Sequence, residues 1–415
     1  MSTPGFSLLL VSTTLGLLAA APLSARPRPP FPRACTCVAP APGVRNGPAV
    51  SYRAASRTPL TLLRDAPAAS AKVYVANELE SAVTVVDAAT NQAIGKVVLG
   101  YPVGTMYEMV FFPRGLVVAP DGKTVWVAAP IPALDCAEGE GGGCAGPNLP
   151  PGATEEIIVI DPRADTVLAR IPVPTFDGNS VHLSEVVIDR DSRYAYITAS
   201  GSSQIVRVDV QTRKIMGRVD LGANRDPQGI GICDDRLLVA NGAGRSLSVV
   251  DATRGTVEEV PLEGVAIRAV CSGDARFAYV AVYDSREVVR YEFATGGIKR
   301  MPLPADAIGP THLAMDGDGR RLYVLDQGTY MGRAAGDKMY ELDPQTGAVT
   351  AAITVGRAPR GLVLTDDGKT GYTSNYYDGN ISVVDLSARR VVASVPTGRA
   401  PNGITVWQNG EQLVP

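Results

Sequence analysis

The chain has 415 residues, of which 45% are hydrophobic and 20% are charged, and its formal net charge is −3. This composition excludes an intrinsically disordered chain, and the small net charge argues against a polycationic surface for nucleic acid or anionic membranes. Only two histidines are present, which is too few for a multi-histidine metal site, and we predict neither a metal nor a cofactor.

The N-terminal segment has the features of an export signal. Residues 1–25 contain no charged side chain and form a short apolar stretch that ends in Leu23-Ser24-Ala25. Small residues at this point suit cleavage of a secretory signal peptide, although the usual basic residues at its start are missing. The apolar run is short and interrupted by Ser and Thr, which does not favour a membrane span. We therefore predict a signal peptide over residues 1–25 and a periplasmic or extracellular protein.

Residues 26–70 are rich in proline and alanine and show no apolar periodicity. This composition is typical of an extended linker. No later stretch is long and apolar enough to cross a bilayer, so we predict no membrane span in the mature chain.

Residues 71–415 contain one recurring pattern. An apolar run leads to a turn, a second apolar run follows, and a third apolar run ends in an acidic residue. The acidic residues are Asp87, Asp161, Asp209, Asp251, Glu292, Asp343 and Asp385. The basic period is about 42 residues, which is the length of a four-stranded propeller blade. The 43 glycines and 32 prolines agree with many short strands and turns.

The turns and the C-terminal segment define how many blades are present. Hairpin turns fall at Asp121-Gly122, Asp191-Ser192, Asp234-Asp235, Gly273-Asp274, Asp318-Gly319 and Asp367-Gly368. Seven third strands but only six such turns leave blade one without its first strand. The segment Pro401-Asn402-Gly403-Ile404-Thr405-Val406-Trp407 supplies the missing strand. We predict an all-β, seven-bladed β-propeller of four-stranded antiparallel blades, closed by the C-terminal strand in blade one.

Three segments resemble a known repeat family. They are Val73-Tyr74-Val75-Ala76-Asn77, Ala119-Pro120-Asp121-Gly122-Lys123 and Gly356-Arg357-Ala358-Pro359-Arg360-Gly361. They are similar to the YVTN-type, YncE-like seven-bladed propeller repeats, and the resemblance spans residues 72–415. It implies a propeller that is periplasmic or attached to the cell surface. It does not imply one activity, because propellers host many unrelated functions.

Blade topology indicates which face carries the function. The first strand of each blade lines the central channel, and both long insertions, residues 131–153 and 328–338, fall on one face. Polar residues at or beside the channel mouth on this face are Arg114, His182, Glu185, Gln228, Arg268, Thr311 with His312, Arg360 and Asn402. Such a set could bind a small polar or anionic ligand or a protein partner. The alternative is that it only lines a water-filled channel, with an arginine paired to Glu185.

Our main hypothesis is therefore an exported, monomeric binding protein, and two other functions stay open. The run Gly309-Pro310-Thr311-His312-Leu313-Ala314 resembles the Gly-Pro-Arg-His-Leu run of lactonase-type propellers, with Thr311 in place of arginine. This resemblance implies hydrolysis of sugar or muconate lactones. His312 or Glu185 would then be the base, and Arg268 or Arg360 would stabilise the oxyanion. A third hypothesis, an accessory protein of a periplasmic redox enzyme, rests on fold analogy.

The cysteines suggest a disulfide in the first insertion. Cys136 and Cys144 flank a short glycine-rich loop, and an exported chain permits disulfides. Cys233 and Cys271 fall at equivalent ends of the first strands of blades four and five. We predict that these two pack as small buried side chains, with pairing across the blades as the alternative.

Overall fold

The computed structural model describes residues 71–100, 102–103, 107–108, 111–131, 154–174 and 181–408. These residues form seven four-stranded antiparallel sheets, arranged as the blades of a ring, together with one two-stranded hairpin. The predicted all-β, seven-bladed propeller is confirmed. The predicted signal peptide and linker lie outside the described residues.

Strands are numbered in chain order, and the strands of each blade are lettered a to d from the channel outwards. Strands b, c and d of blade one are β1 (Ala71–Asn77), β2 (Ala82–Asp87) and β3 (Gln92–Val98). The small hairpin that follows is formed by β4 (Pro102–Val103) and β5 (Tyr107–Glu108). Strands a to d of blade two are β6 (Leu116–Val118), β7 (Val125–Ala129), β8 (Glu155–Asp161) and β9 (Thr166–Val173). Those of blade three are β10 (Leu183–Ile188), β11 (Tyr194–Ala199), β12 (Gln204–Asp209) and β13 (Lys214–Asp220).

The remaining blades repeat this order. Blade four contains β14 (Pro227–Cys233), β15 (Arg236–Asn241), β16 (Ser246–Asp251) and β17 (Val257–Pro261). Blade five contains β18 (Ala266–Cys271), β19 (Phe277–Val282), β20 (Glu287–Glu292) and β21 (Ile298–Pro302). Blade six contains β22 (Pro310–Met315), β23 (Leu322–Gly328), β24 (Ala335–Leu342) and β25 (Val349–Thr354). Blade seven contains β26 (Pro359–Leu364), β27 (Thr370–Asn375), β28 (Asn380–Asp385) and β29 (Arg390–Pro396), and β30 (Pro401–Gln408) is strand a of blade one.

The C-terminal strand closes the ring as predicted. Strand β30 pairs antiparallel with β1, with Thr405 opposite Tyr74 and Ile404 opposite Val75. This pairing satisfies the backbone groups of β1, which would otherwise form an open sheet edge. Blade one is therefore assembled from both ends of the propeller sequence.

The hydrophobic core lies between neighbouring blades. Strands b and c are almost fully buried, whereas strand d alternates between exposed and buried residues at the outer rim. One cluster joins Tyr74 and Val85 of blade one to Val125 and Ile158 of blade two, with Trp407 of the closing strand. Each blade thus buries its faces against the blades beside it, so the stability of each repeat depends on its neighbours.

The acidic residue at the end of strand c caps the turn that follows. A side-chain oxygen of Asp87 accepts hydrogen bonds from the N–H groups of Ala89 at 2.8 Å and Thr90 at 3.0 Å. The same arrangement recurs at Asp161, Asp209, Asp251, Asp343 and Asp385. Backbone hydrogen bonds favour the carboxylate and lower the pKa of Asp209, Asp251 and Asp343. This turn geometry accounts for the recurrence of the acidic residue in the sequence.

A buried ion pair ties blade one to the c–d turn of blade two. Lys72 is 6% exposed, and its Nζ donates to Asp165 at 2.7 Å and to the carbonyl of Pro162 at 2.8 Å. The hydroxyl of Tyr74 donates to the same two residues. The ammonium group of Lys72 also lies 5.3 Å from the ring centre of Trp407. The contacts therefore link the closing strand, blade one and blade two.

We expect Asp165→Asn to lower the free energy of unfolding by about 2 kcal/mol, because the buried Lys72 loses its carboxylate partner. Urea unfolding followed by tryptophan fluorescence measures this loss. Asp318→Asn, in the exposed a–b turn of blade six, is the control, with an expected change below about 0.5 kcal/mol. Equal stability of the two variants would contradict the prediction.

The predicted insertions are only partly described. Strands β23 and β24 extend into the insertion at residues 328–338, so the connecting loop is reduced to residues 329–334, with a 3-10 turn at Tyr330–Gly332. Residues 132–153 of the other insertion lie outside the described residues, and so do Cys136 and Cys144. Within the part of the chain that is described, no helix is long and apolar enough to span a membrane.

The interpretation of Cys233 and Cys271 as separate packed thiols is wrong. The two residues form a disulfide that joins strand a of blade four to strand a of blade five, with Cα atoms 5.2 Å apart. The bond forms because equivalent positions in adjacent channel strands lie side by side, within the range that a disulfide spans.

Candidate functional site

The channel strands carry a β-bulge near the channel mouth. In six blades the pairing of strand a with strand b changes register there, for example between Pro227 and Gly229 in blade four and between Ala266 and Arg268 in blade five. A bulge sets two consecutive residues of one strand opposite a single residue of its partner. As a result, these strands present two successive residues to the channel.

These residues form two rings. The first ring contains Arg114, Ser184, Gln228, Ile267, Thr311, Arg360 and Asn402. The second ring contains Gly115, Glu185, Gly229, Arg268, His312, Gly361 and Gly403. All of them except Gly361 and Gly403 line one narrow cavity of about 70 Å³, together with Gln327 at the end of strand b of blade six.

Eight of the nine polar residues predicted at the channel mouth line this cavity. They are Arg114, Glu185, Gln228, Arg268, Thr311, His312, Arg360 and Asn402. They do not form the single ring that the sequence suggested, because Glu185, Arg268 and His312 belong to the second ring. The offset arises because the a–b turns differ in length: blade four has a two-residue turn, whereas blades three and five have five residues between the strands. A ligand-binding role for these residues stays a prediction.

His182 is not among the residues that line the cavity. It lies in the turn before β10, where its backbone adopts a left-handed conformation with φ of 49°. Its N–H donates to the buried side chain of Glu155 at 2.8 Å, and the N–H of Leu183 donates to the other oxygen at 2.7 Å. The backbone of His182 is therefore fixed by the turn at the start of blade three.

The second ring contains an ion pair that crosses a blade. Arg268 of blade five contacts Glu185 of blade three, and both side chains are less than one-fifth exposed. Gly229 of the intervening blade four leaves the necessary space, because a Cβ there would lie 3.0 Å from Cδ of Arg268. Gly115 leaves room for Glu185 in the same way. Burial raises the pKa of Glu185, and the charge of Arg268 opposes this rise.

His312 completes a cluster with this ion pair. Its side chain is half-buried and lines the cavity. Burial lowers the pKa of His312 well below its ordinary value, and the positive charge of Arg268 lowers it further. A hydrogen bond to the backbone of Arg360 acts in the opposite direction. The imidazole is therefore neutral at physiological pH.

We expect His312→Gln to flatten the pH dependence of stability below pH 6.5. The folded pKa lies below the unfolded value near 6.5, so the unfolded protein binds more protons in this range. The wild-type protein should consequently lose up to about 1.4 kcal/mol of stability per pH unit as the pH falls below 6.5, in excess of the variant. Urea unfolding at pH 7, 6 and 5 tests this difference, and parallel pH profiles would contradict it.

A second cluster is organised by Glu78, which the sequence analysis missed. Glu78 follows β1 and is 5% exposed. Its carboxylate lies 3.5 Å from Nη2 of Arg114 and 3.2 Å from Nη1 of Arg360, and it accepts a hydrogen bond from Nδ2 of Asn402 at 2.9 Å. Alignment of the ends of strand b, rather than strand a alone, would have identified both Glu78 and Gln327.

A third carboxyl group lies close to the mouth. Asp226 accepts a hydrogen bond from Nε2 of Gln228 at 2.8 Å. Burial raises the pKa of Asp226, and this hydrogen bond and the charge of Arg114 oppose the rise. The mouth therefore combines three guanidinium groups with carboxyl groups, two of which are less acidic than usual.

Arg268 and Thr311, which line the cavity, each have one buried polar atom without a protein partner. Nε of Arg268 and Oγ1 of Thr311 are buried and make no hydrogen bond to any residue that the structure describes. Thr311 is only 4% exposed. An unpaired buried donor is costly, so these atoms suit a bound oxygen ligand. Across the described ranges, no group of three or more His, Cys, Asp or Glu side chains is arranged to hold a metal ion.

Fold and channel together define this chain as a seven-bladed β-propeller with a polar channel mouth. A family model described as "Lactonase, 7-bladed beta-propeller" matches residues 277–400. This segment contains His312 and Arg360 but excludes Glu185 and Arg268. A comparison with curated proteins finds no match.

Several solved structures share the fold. Hydrazine synthase from Kuenenia stuttgartiensis is 19% identical, with a TM-score of 0.59, over 76% of this chain and 92% of that chain. A streptogramin B lyase is 16% identical, with a TM-score of 0.56, over 74% of this chain and 90% of that chain. Virginiamycin B lyase from Staphylococcus aureus is 16% identical, with a TM-score of 0.55, over 70% of this chain and 87% of that chain. Identities this low establish similarity of fold alone.

Proposed function

We propose that this protein is an exported β-propeller that binds a small anion, or the anionic head group of a larger ligand, at the channel mouth. The observation that carries the proposal is the pair of unpartnered buried atoms, Nε of Arg268 and Oγ1 of Thr311. Guanidinium and hydroxyl donors together suit a carboxylate or phosphate oxygen, and the guanidinium supplies the opposite charge.

The size of the cavity limits the group that can enter. Its volume of about 70 Å³ makes it a small chamber, and an anionic group such as a carboxylate is the kind of group that we expect it to admit. We therefore propose that any larger ligand inserts only its anionic end between the two rings.

Two features support export. The Cys233–Cys271 disulfide suits an oxidising compartment, and residues 1–25 have the composition of a signal peptide. The resemblance of several segments to YVTN-type, YncE-like repeats supports a periplasmic or cell-surface location. Membership of that family is part of this proposal.

Calorimetric titration of the purified protein with acetate and with phosphate tests the binding function. Thr311→Val should weaken anion binding about tenfold while leaving stability unchanged or higher, because it removes a buried hydroxyl without a protein partner. Thr84→Val is the matched control. The hydroxyl of Thr84 accepts a hydrogen bond from Asn77 and donates one to the carbonyl of Thr397, so this variant should lose stability but bind anions as the wild type does. Absence of binding of either anion by the wild-type protein would refute the proposal.

Lactone hydrolysis is the second candidate, and two observations favour it. The family model for lactonases covers His312, and this half-buried histidine is held neutral beside Arg268. The imidazole would take a proton from water as the water oxygen attacks the lactone carbonyl, and Arg268 would stabilise the oxyanion. The imidazolium would then return this proton to the ring oxygen as the acyl C–O bond breaks, which gives a hydroxycarboxylic acid that ionises to an anion. A pH-stat assay with a lactone panel tests this activity, which His312→Gln should abolish; no ring opening by the wild type would exclude it.

A redox-accessory role is a weaker proposal. Hydrazine synthase shares the fold with this chain, but the likeness extends to fold alone. Co-purification of a cytochrome or metalloenzyme with the exported protein would support this role, and size-exclusion chromatography with light scattering would test the proposed monomer.

A further inference from the structure

Two glycines and a cysteine of blade four face the channel strand of blade five. Gly229, Gly231 and Cys233 alternate along β14, and their shared face is directed at β18. A Cβ at Gly229 would lie 2.5 Å from the carbonyl oxygen of Ile267, and a Cβ at Gly231 would lie 2.5 Å from that of Ala269. The two backbones are therefore in close contact, and any larger residue would push them apart.

The disulfide lies at the end of this contact. Cys233 is the next residue on the same face of β14, and it is bonded to Cys271, the last residue of β18. We refer to Gly229, Gly231, Cys233 and Cys271 as the glycine–disulfide seam. The glycines permit the close approach of the strands, and the covalent bond maintains it.

The direction of the Arg268 side chain depends on this seam. Its Cα and Cδ atoms lie 3.1 Å and 3.0 Å from where a Cβ of Gly229 would be, so its side chain runs directly over that glycine. It then passes blade four to reach Glu185 on blade three. The position of β18 relative to β14 thus determines where the guanidinium group lies.

We propose that the glycine–disulfide seam positions Arg268 at the channel mouth, so that Gly231, Cys233 and Cys271 act as positioning residues for the cavity. Loss of the covalent bond lets the two strands separate at one end, and the guanidinium group then moves away from Glu185 and His312. The part of this inference that concerns ligand affinity rests on the proposed function, whereas the part that concerns the position of Arg268 does not.

Histidine NMR of the full-length protein provides a direct test, because the chain contains only two histidines. The titration of the His312 ring senses the charge of Arg268. In the Cys233→Ala/Cys271→Ala variant the midpoint of the His312 titration should rise by about 0.5 pH unit or more, while the His182 signal serves as an internal reference. Arg268→Gln removes the charge completely and shows the largest rise in the His312 midpoint that can be expected. His312→Gln identifies which of the two NMR signals belongs to His312.

Two further variants keep the test decisive. Gly231→Ala retains both cysteines but forces the strands apart, so it should shift the His312 midpoint in the same direction even if the alanine pair fails to fold. Val239→Ala creates a cavity in β15 of the same blade without touching the seam, and the midpoint should not move. If the His312 titration in both seam variants keeps the midpoint of the wild-type protein, the proposal is overturned.

Acetate titration separates this inference from the proposed function. If the wild-type protein binds acetate, the alanine pair should bind it about tenfold more weakly, and equal affinity would overturn the positioning role. If the wild-type protein binds no anion, the proposed function fails, and the His312 titration alone decides whether the seam positions Arg268.

Discussion

Replacing Arg268 with glutamine is expected to abolish anion binding at the channel mouth and to lower the free energy of unfolding by about 3 kcal/mol. The variant removes the charge that faces the cavity and leaves the buried carboxylate of Glu185 without its guanidinium partner. The pKa of Glu185 should rise further, because only the hydrogen bond from the N–H of Val186 then opposes the effect of burial. Calorimetric titration with acetate measures the first effect, and urea unfolding at pH 7 measures the second.

Two companion variants distinguish the causes. Glu185→Gln/Arg268→Gln should recover part of the stability, because no uncompensated carboxylate stays buried, but it should not recover binding. Arg254→Gln changes an arginine that is 79% exposed on the c–d turn of blade four, and neither property should respond. Unchanged acetate affinity in Arg268→Gln would show that the ion pair is purely structural.

Glu78→Gln is expected to affect binding and stability in opposite directions. Glu78 faces Arg114 and Arg360 and accepts a hydrogen bond from Asn402. Replacing its carboxylate with a neutral amide therefore makes the net charge of the first ring more positive. Anion affinity should rise about tenfold, because the removed charge opposes the ligand in a weakly screened site. The free energy of unfolding should fall by about 2 kcal/mol, because the two buried guanidinium groups lose a partner.

A neighbouring glutamate supplies the control. Glu80 lies in the same b–c loop, is one-quarter exposed and pairs with Lys96 at 2.6 Å. Glu80→Gln should alter acetate affinity less than twofold, because solvent and salt screen this charge. Weaker acetate binding by Glu78→Gln than by the wild type would contradict an electrostatic role for the cluster.

The repeated part of the fold could be predicted because its signals are local. Acidic caps at the end of strand c and Asp-Gly turns such as Asp318-Gly319 depend on a few consecutive residues, and the structure has Gly319 at a φ of 65°. The closing strand could be predicted because its sequence matches the other first strands and one strand was missing. Such features recur in several blades, so each instance reinforces the others.

The contacts between blades could not be predicted in the same way. Arg268 and Glu185 are 83 residues apart and belong to blades that are not adjacent, so no period relates them. The β-bulges and unequal turn lengths shift the second ring by one residue, which counting from the turns cannot detect. The Cys233–Cys271 bond depends on the close backbone approach at Gly229 and Gly231, and only the alternative of cross-blade pairing anticipated it.

Closure of the ring by β30 has a consequence for the order of assembly. Glu78 and Asn402 are 324 residues apart, and their hydrogen bond forms only after the C-terminal strand has docked against β1. Contacts between such distant residues form late, because a long loop must close first. The Glu78 cluster is therefore absent while the chain is being synthesised, and the mouth acquires its charge pattern only in the folded protein. Any ligand that requires this mouth can therefore bind only after the ring has closed.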